Sequence, residues 1–308
     1  ELQLAKCATV LPELTGTYDL PDGKITFDGV CAQSVKSTGT IATDYFKVEF
    51  TGSGVKSLTG NTNIADSIFF TLPTTTGNYV DAGTDTLFAL NSSSGIVTHT
   101  GGHVVGEYNR AFTSSGGDYI FHVGSDNSDT ETYFEPITLT PSGLSGASSV
   151  TARFIDATPN PAVVVPNIVY GLSPNTDTLQ QVETEGYWRM NPYSNISSGS
   201  YQALVSPDAT YWTFDQPWAS DYHALLKQDT EGDPWDFTAG GIRVNDSTTT
   251  NFTNFSNYVL AYANNSLTAL AAELLYFNAV CDGEDVYLNW ASASESESHS
   301  YSLERSTD

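Results

Sequence analysis

Apolar and polar residues alternate along most of this chain in short runs, and Gly, Asn, Asp or Pro closes nearly every run. A period of two sends successive side chains to opposite faces of an extended backbone, so the pattern predicts strands and not helices. Only Ala263 to Leu275 carries weak helical character, and it opens on Asn residues. In a first region, Glu1 to about Gly106, the expected strands are Lys24–Phe27, Phe46–Phe50, Ser67–Leu72, Thr86–Leu90 and Gly95–His99. Their even spacing fits either a short parallel β-solenoid or a sandwich. The piece Thr26-Phe-Asp-Gly-Val-Cys-Ala-Gln-Ser-Val35 reads as one rung of such a stack.

A second region, residues 107–263, holds better-formed strands: Tyr119–Val123, Ile137–Thr140, Val150–Ile155, Tyr187–Met190, Tyr201–Val205, Tyr222–Lys227 and Tyr258–Tyr262. That number suits an antiparallel β-sandwich. Between them, Thr158-Pro-Asn-Pro-Ala-Val-Val-Val-Pro166 is expected to be a long loop or an extended edge segment, since Pro cannot donate to a central ladder. A third region, residues 273–308, reads as three strands, Leu274–Val280, Val286–Ala291 and Tyr301–Arg305, with a turn at Asp282-Gly-Glu-Asp285. Three strands make part of a sandwich and leave an open edge, which invites pairing with a neighbour. The expected fold class is therefore all-β: a short β-solenoid or sandwich (1–106), an antiparallel β-sandwich (107–263) and a partial sheet (273–308).

Composition narrows the partners. The chain of 308 residues has 36 acidic and 11 basic residues, a formal net charge of -25, while only 15% of its residues are charged. Nucleic acid needs a basic stripe, and none is present. An anionic membrane surface is disfavoured on the same ground, and no apolar run is long enough to cross a bilayer. With 12% aromatic residues there is ample material for a core, so global disorder is not expected. The start at Glu1, with no Met and no signal peptide, is read as a processed or unrepresented N-terminus. Three cysteines, Cys7, Cys31 and Cys281, leave one over if two pair. Cys7 and Cys31 are near enough in sequence to staple the N-terminal segment; three buried thiols are the alternative.

Candidate chemistry is sparse. Asp126, Asn127, Asp129 and Glu131 alternate oxygen ligands in one loop and are the candidate for Ca²⁺, the one cofactor considered. They lack the sharp-turn Gly and the closing Glu of a 12-residue calcium loop, and a solvated turn explains the run as well. Trp212, Trp218 and Trp235 lie near Asp229, Asp233 and Asp236, and exposed aromatics beside carboxylates can stack on sugar rings. Packing in a sandwich core accounts for the same tryptophans. The histidines, at 99, 103, 122, 223 and 299, are scattered. His99 and His103 would stand about 13 Å apart on one face of an extended strand. No HExxH spacing and no G-x-S-x-G elbow is present. A non-enzymatic role is expected, although a glycosidase's pair of carboxylates leaves no signature of its own.

Three stretches resemble a known family. Glu273-Leu-Leu-Tyr-Phe-Asn-Ala-Val280, Val286-Tyr-Leu-Asn-Trp-Ala-Ser-Ala-Ser-Glu295 and Tyr301-Ser-Leu-Glu-Arg-Ser306 are similar to the fibronectin-III-like segment that precedes the C-terminal sorting domain in cargo of the bacterial type IX secretion system. In the middle region, Gly102-His-Val-Val-Gly-Glu-Tyr-Asn-Arg110 with Asp118-Tyr-Ile-Phe-His-Val-Gly124 resembles a strand pair of such surface proteins, with His122 where they often carry Pro. Glu185-Gly-Tyr-Trp-Arg189 and Thr253-Asn-Phe-Ser-Asn-Tyr-Val-Leu-Ala261 look like further strands of theirs. The resemblance implies export across the outer membrane and display outside the cell. It also implies that Asp-Ser/Thr triplets mark O-glycosylation at Ser67, Thr86, Thr178 and Ser247, where ordinary turn chemistry is the plainer account. Such a family is defined by export and display and not by one chemistry. The expected function is thus a secreted or cell-surface structural or adhesive protein, a self-associating filament subunit or a partner of other surface proteins. The alternative is a carbohydrate-binding or polysaccharide-degrading module with a glycan partner.

Overall fold

The computed structural model describes residues 2–4, 22–36, 44–75, 77–126, 133–159, 163–170, 177–207, 223–235, 242–243, 251–262, 274–282 and 285–292. They are all-β, with one 3₁₀ turn at Ser94–Ile96 and no α-helix among them. The chain forms two compact units, Glu1–Ala263 and Asn264–Asp308.

The first unit opens as a β-solenoid. Its strands are β1 (Leu2–Leu4), β2 (Lys24–Phe27), β3 (Gln33–Val35), β4 (Tyr45–Phe50), β5 (Lys56–Leu58), β6 (Thr62–Thr71), β7 (Val80–Ala89), β8 (Val97–Gly101) and β9 (Val104–Ala111). All of them pair in parallel. One face stacks β1, β2, β4, the end of β6 and β8. A second stacks β3, β5 and the starts of β7 and β9. A third stacks the start of β6 on the ends of β7 and β9. The sequence left solenoid and sandwich open for this region, and the parallel register decides for the solenoid.

Inward positions form ladders from rung to rung. Ile25, Val48, Ile68 and Val97 are in register, as are Phe27, Phe50, Phe70 and His99. The rings of Phe27 and Phe50, and of Phe50 and Phe70, stack at 5.8 Å. Offset-stacked aromatic pairs at that separation contribute beyond their buried area. One corner is held by a charge. Lys56 is fully buried, and its Nζ donates to the carbonyl oxygens of Gly29 (2.8 Å) and Ser53 (3.0 Å), with Cys31 O at 3.4 Å. Burial pushes its pKa down to about 8, while Asp28 opposes the shift. Gly54 closes the same corner at φ +82°, where an added Cβ would meet the Cys31 backbone at 2.5 Å. Lys56→Met is expected to lower stability by roughly 2–3 kcal/mol through the stranded carbonyls, read as a shifted denaturant midpoint at constant slope.

The solenoid runs without a break into a sandwich. Its further strands are β10 (Tyr119–Phe121), β11 (Gly124–Ser125), β12 (Tyr133–Phe134), β13 (Ile137–Ser145), β14 (Ser149–Ile155), β15 (Val163–Tyr170), β16 (Asp177–Val182), β17 (Tyr187–Pro192), β18 (Ser198–Val205), β19 (His223–Gln228), β20 (Ile242–Arg243) and β21 (Asn257–Tyr262). β9 pairs in parallel with β7 on one side and antiparallel with β14 on the other. The expected junction near Gly106 falls inside this shared strand. From β14 the large sheet continues through β17 to β21, with β16 and β19 beside it. β15, which contains Val163 to Pro166 of the Pro-rich stretch, ends the path as an edge strand, where a missing amide costs least. A small sheet, β10–β13–β18, covers the inner face.

A single apolar cluster spans both parts, from Ile25 and Phe50 through Tyr108 to Trp188, Tyr201 and Leu260. The indole of Trp188 donates to Glu135 O at 2.8 Å, which ties the large sheet to the loop before β13. A smaller cluster lies around Val259, Leu226 and Trp235. The second unit contributes one antiparallel hairpin, β22 (Leu274–Asp282) and β23 (Asp285–Ser292), with Trp290 opposite Phe277 and Leu288 opposite Ala279. The third strand expected there, Tyr301–Arg305, and most of the weakly helical stretch lie outside the described residues.

Candidate functional site

Where the aromatic ladder of the solenoid ends, histidine takes over. His99 occupies the next rung after Phe70. Gly101 and Gly102 then turn the corner, with Gly102 at φ +78° and 2.7 Å of room to Leu72 for any Cβ, so a side chain there would be strained and crowded. That turn carries His103 to the start of β9. His122 follows β10, and Phe134 arrives from β12. The rings of His99 and His122 stack at 4.5 Å, and His99 and Phe134 also at 4.5 Å. His122 lies 5.9 Å from Phe134, and His103 6.4 Å. His99 Nε2 donates to Gly102 O (2.7 Å) and His103 Nε2 to Ser125 O (3.0 Å), because a carbonyl only accepts.

Burial keeps these rings neutral. It pushes His103 down to about 4, against the Ser125 carbonyl and helped by His99. It pushes His122 down to about 2, and the charges of His99 and Arg110 act in the same sense. His99 is lowered by burial too, with the Gly102 carbonyl opposing. Arg110 is buried alongside. It donates to Ile120 O (2.6 Å) and Ser94 O (3.0 Å), and its guanidinium stands 5.5 Å from the Tyr119 ring centre. Two clefts flank the stack, one of about 240 Å³ beside His103 and Asn78 and one of about 470 Å³ beside Arg110 and Asp118. Among the described residues, no three His, Cys, Asp or Glu side chains converge in a metal-holding group. The stack is therefore a cluster of rings that burial holds in the neutral form.

A different surface lies on the outer face of the large sheet. Register aligns Asn63, Phe88, Asn109, Thr151 and Asn191 across five strands. The parallel row next to it is Thr86, Glu107, Arg153, Arg189 and Asn257. Glu107 follows by the alternation of β9 and β14, and its carboxylate stands 4.0 Å from Arg153. An open groove of about 610 Å³ starts at Asn63, Phe88 and Asn109 of the first row and extends away from the second row, past Leu90 and Ser149 to Tyr193. Tyr193 is 81% exposed and Leu90 42%.

Trp235 is fully buried and meets Tyr187 edge-on at 6.0 Å, so it cannot be a sugar platform; Val259, Leu226 and Ala224 need it as core. Trp212 and Trp218 lie outside the described residues. Asp126 is exposed at the end of β11, while Asn127, Asp129 and Glu131 lie outside the described residues. Cys31 is disulfide-bonded, and Cys7 lies outside them. Ser67 sits within β6, half-buried, and donates to Asp66 at 2.9 Å. Thr86 sits half-buried within β7, where its backbone amide donates to Asn61 at 3.0 Å. Thr178 falls in β16, and Ser247 lies outside the described residues. The histidines at 99, 103 and 122 are brought together, although nothing in their spacing announces it. The only sequence signal is the phase of His99 with Phe27, Phe50 and Phe70, and it becomes visible once the rungs are aligned. No protein-family model, no curated protein and no solved structure matches the chain.

Proposed function

We propose that this chain is a secreted or cell-surface structural and adhesive module, without a catalytic role, whose copies associate through the C-terminal hairpin. The observation that carries the reading is the exposure of large apolar residues on β23: Val286 at 59%, Tyr287 at 61% and Trp290 at 40%. The two strands described in this unit are marginal by themselves in water, and a hairpin of this kind gains stability from further strands or a cover. A neighbouring copy can supply both by strand addition. The disulfide at Cys31 fits an oxidising compartment outside the cytosol. The charge of -25 favours solubility and selects against anionic partners unless a local basic group intervenes. The motifs at Glu273–Ser306 that resemble type IX secretion cargo supply the route of export. Electron microscopy of the full chain at high concentration tests the reading: a polymer or a repeated inter-copy contact is expected, and a field of separate particles at every concentration would overturn it.

A second reading, a carbohydrate-binding module, is favoured by the groove along the outer sheet face. Phe88 and Tyr193 offer ring faces there, and Asn63 offers an amide.

A further inference from the structure

We infer that the outer face of the large sheet binds a carboxylate-bearing polysaccharide, with sugar rings in the groove at Phe88, Leu90 and Tyr193 and a carboxylate between Arg153 and Arg189. This rests on the carbohydrate-binding reading and adds the charge class of the ligand.

Arg153 and Arg189 are directly opposite on antiparallel strands β14 and β17. Like charges in that position destabilise a sheet unless something bridges them. This chain has only 11 basic residues against 36 acidic ones, so a side-by-side pair is not a product of a generally basic surface. Glu107 approaches Arg153 at 4.0 Å, on the side away from Arg189. Among the described residues, no carboxylate is within ion-pair distance of Arg189. The Nε atoms of both arginines are shielded and have no acceptor. A ligand can reach only the terminal N–H groups, since the Arg153 side chain is 40% exposed while its Nε is shielded, and two such groups suit a planar anion such as a carboxylate.

The neighbouring row says what carries the carboxylate. Alternate residues share a face of a strand, so Asn109, Thr151 and Asn191 stand about 7 Å from Glu107, Arg153 and Arg189 along their strands. The pair therefore shares the face of the groove but not its lining: Arg189 stands four residues from Tyr193 and Arg153 four from Ser149, about 13 Å along their strands, a span of roughly two to three sugar units. The half-buried Thr151 and the exposed Asn191 on that row suit sugar hydroxyls, and the exposed Tyr193 ring suits the C–H face of a sugar. Asn109 is held in place by its donation to Thr151 Oγ1 at 2.8 Å. A row crossing five strands suits an extended chain of repeating units better than a compact ligand, and repeated weak contacts along such a chain add.

Titration calorimetry of the full chain with oligomers of galacturonic acid, and with the same oligomers methyl-esterified, tests the inference. The acidic oligomer is expected to bind more tightly, with affinity falling as salt is added. Arg189→Gln should remove that preference, a loss of roughly tenfold for a charge-assisted contact, and leave the ester unaffected. Tyr193→Ala, at an exposed position, should weaken both ligands alike. Equal binding of acid and ester, unchanged in Arg189→Gln, would overturn the inference and leave the carbohydrate reading standing. No binding of either oligomer at millimolar concentration would overturn both.

Discussion

Phe50→Ala is expected to destabilise the chain by about 3–5 kcal/mol, the range for deleting a buried aromatic ring from a core that cannot close over the gap. Phe50 has no exposed surface and is stacked on both sides, by Phe27 and Phe70. Neither neighbour can slide in, because each is fixed by its own rung. The informative part of the result is where the loss appears. No tryptophan precedes Trp188 in the sequence, and Trp188 and Trp235 lie in the sandwich. The apolar cluster nevertheless runs unbroken from Ile25 to Leu260. Tryptophan fluorescence should therefore report the lowered midpoint, in one transition shared with circular dichroism. A fluorescence midpoint that stays in place while the dichroism shifts would show that solenoid and sandwich melt apart.

The second large effect is acid lability seated in the histidine stack. His103 and His122 are neutral when folded and return to about 6.5 when unfolded. Below that pH the unfolded chain binds the extra protons, so stability is intact above about 6.5 and falls as the pH drops. His103 completes its share near pH 4, and His122 continues towards pH 2. At about 1.4 kcal/mol for each tenfold change in proton affinity, the loss by pH 4 is roughly 3 kcal/mol from each ring. Carboxylates titrate in the same range, so the comparison that isolates the effect is with His122→Leu. The Nδ1 of His122 is buried without a partner, and replacing it by an apolar group is close to neutral at pH 8. The difference in stability between this variant and the parent should shift in the variant's favour as the pH falls from 7 to 4. A constant difference across that range would contradict the assignment.

Much of the fold is legible in the residues themselves. Lys24–Phe27 is a strand as expected, and Phe50, Ile68, Val150, Trp188 and Tyr258 are inward because a half-buried strand must alternate. What is not legible depends on register between strands far apart in sequence. His99 and His122 meet because one follows Phe70 by a full rung and the other enters from β10. Loops of unequal length hide that phase. Arg153 and Arg189 become neighbours only through the pairing of β14 with β17. Trp235, which the sequence leaves between sugar platform and core, is decided for the core in the same way. Its surroundings of Asp229, Asp233 and Asp236 suggest an exposed loop, but the ring itself turns inward to Leu226 and Val259.

Association through the C-terminal hairpin is tested most directly by sedimentation velocity across a concentration series, for the full chain and for a Val286→Asp/Trp290→Asp variant. Both substituted positions are exposed, so the fold should survive. The parent is expected to sediment faster as concentration rises, and the variant to remain a single slow species throughout. A parent that stays monomeric at the highest concentration, or a variant that associates as strongly as the parent, would contradict the account.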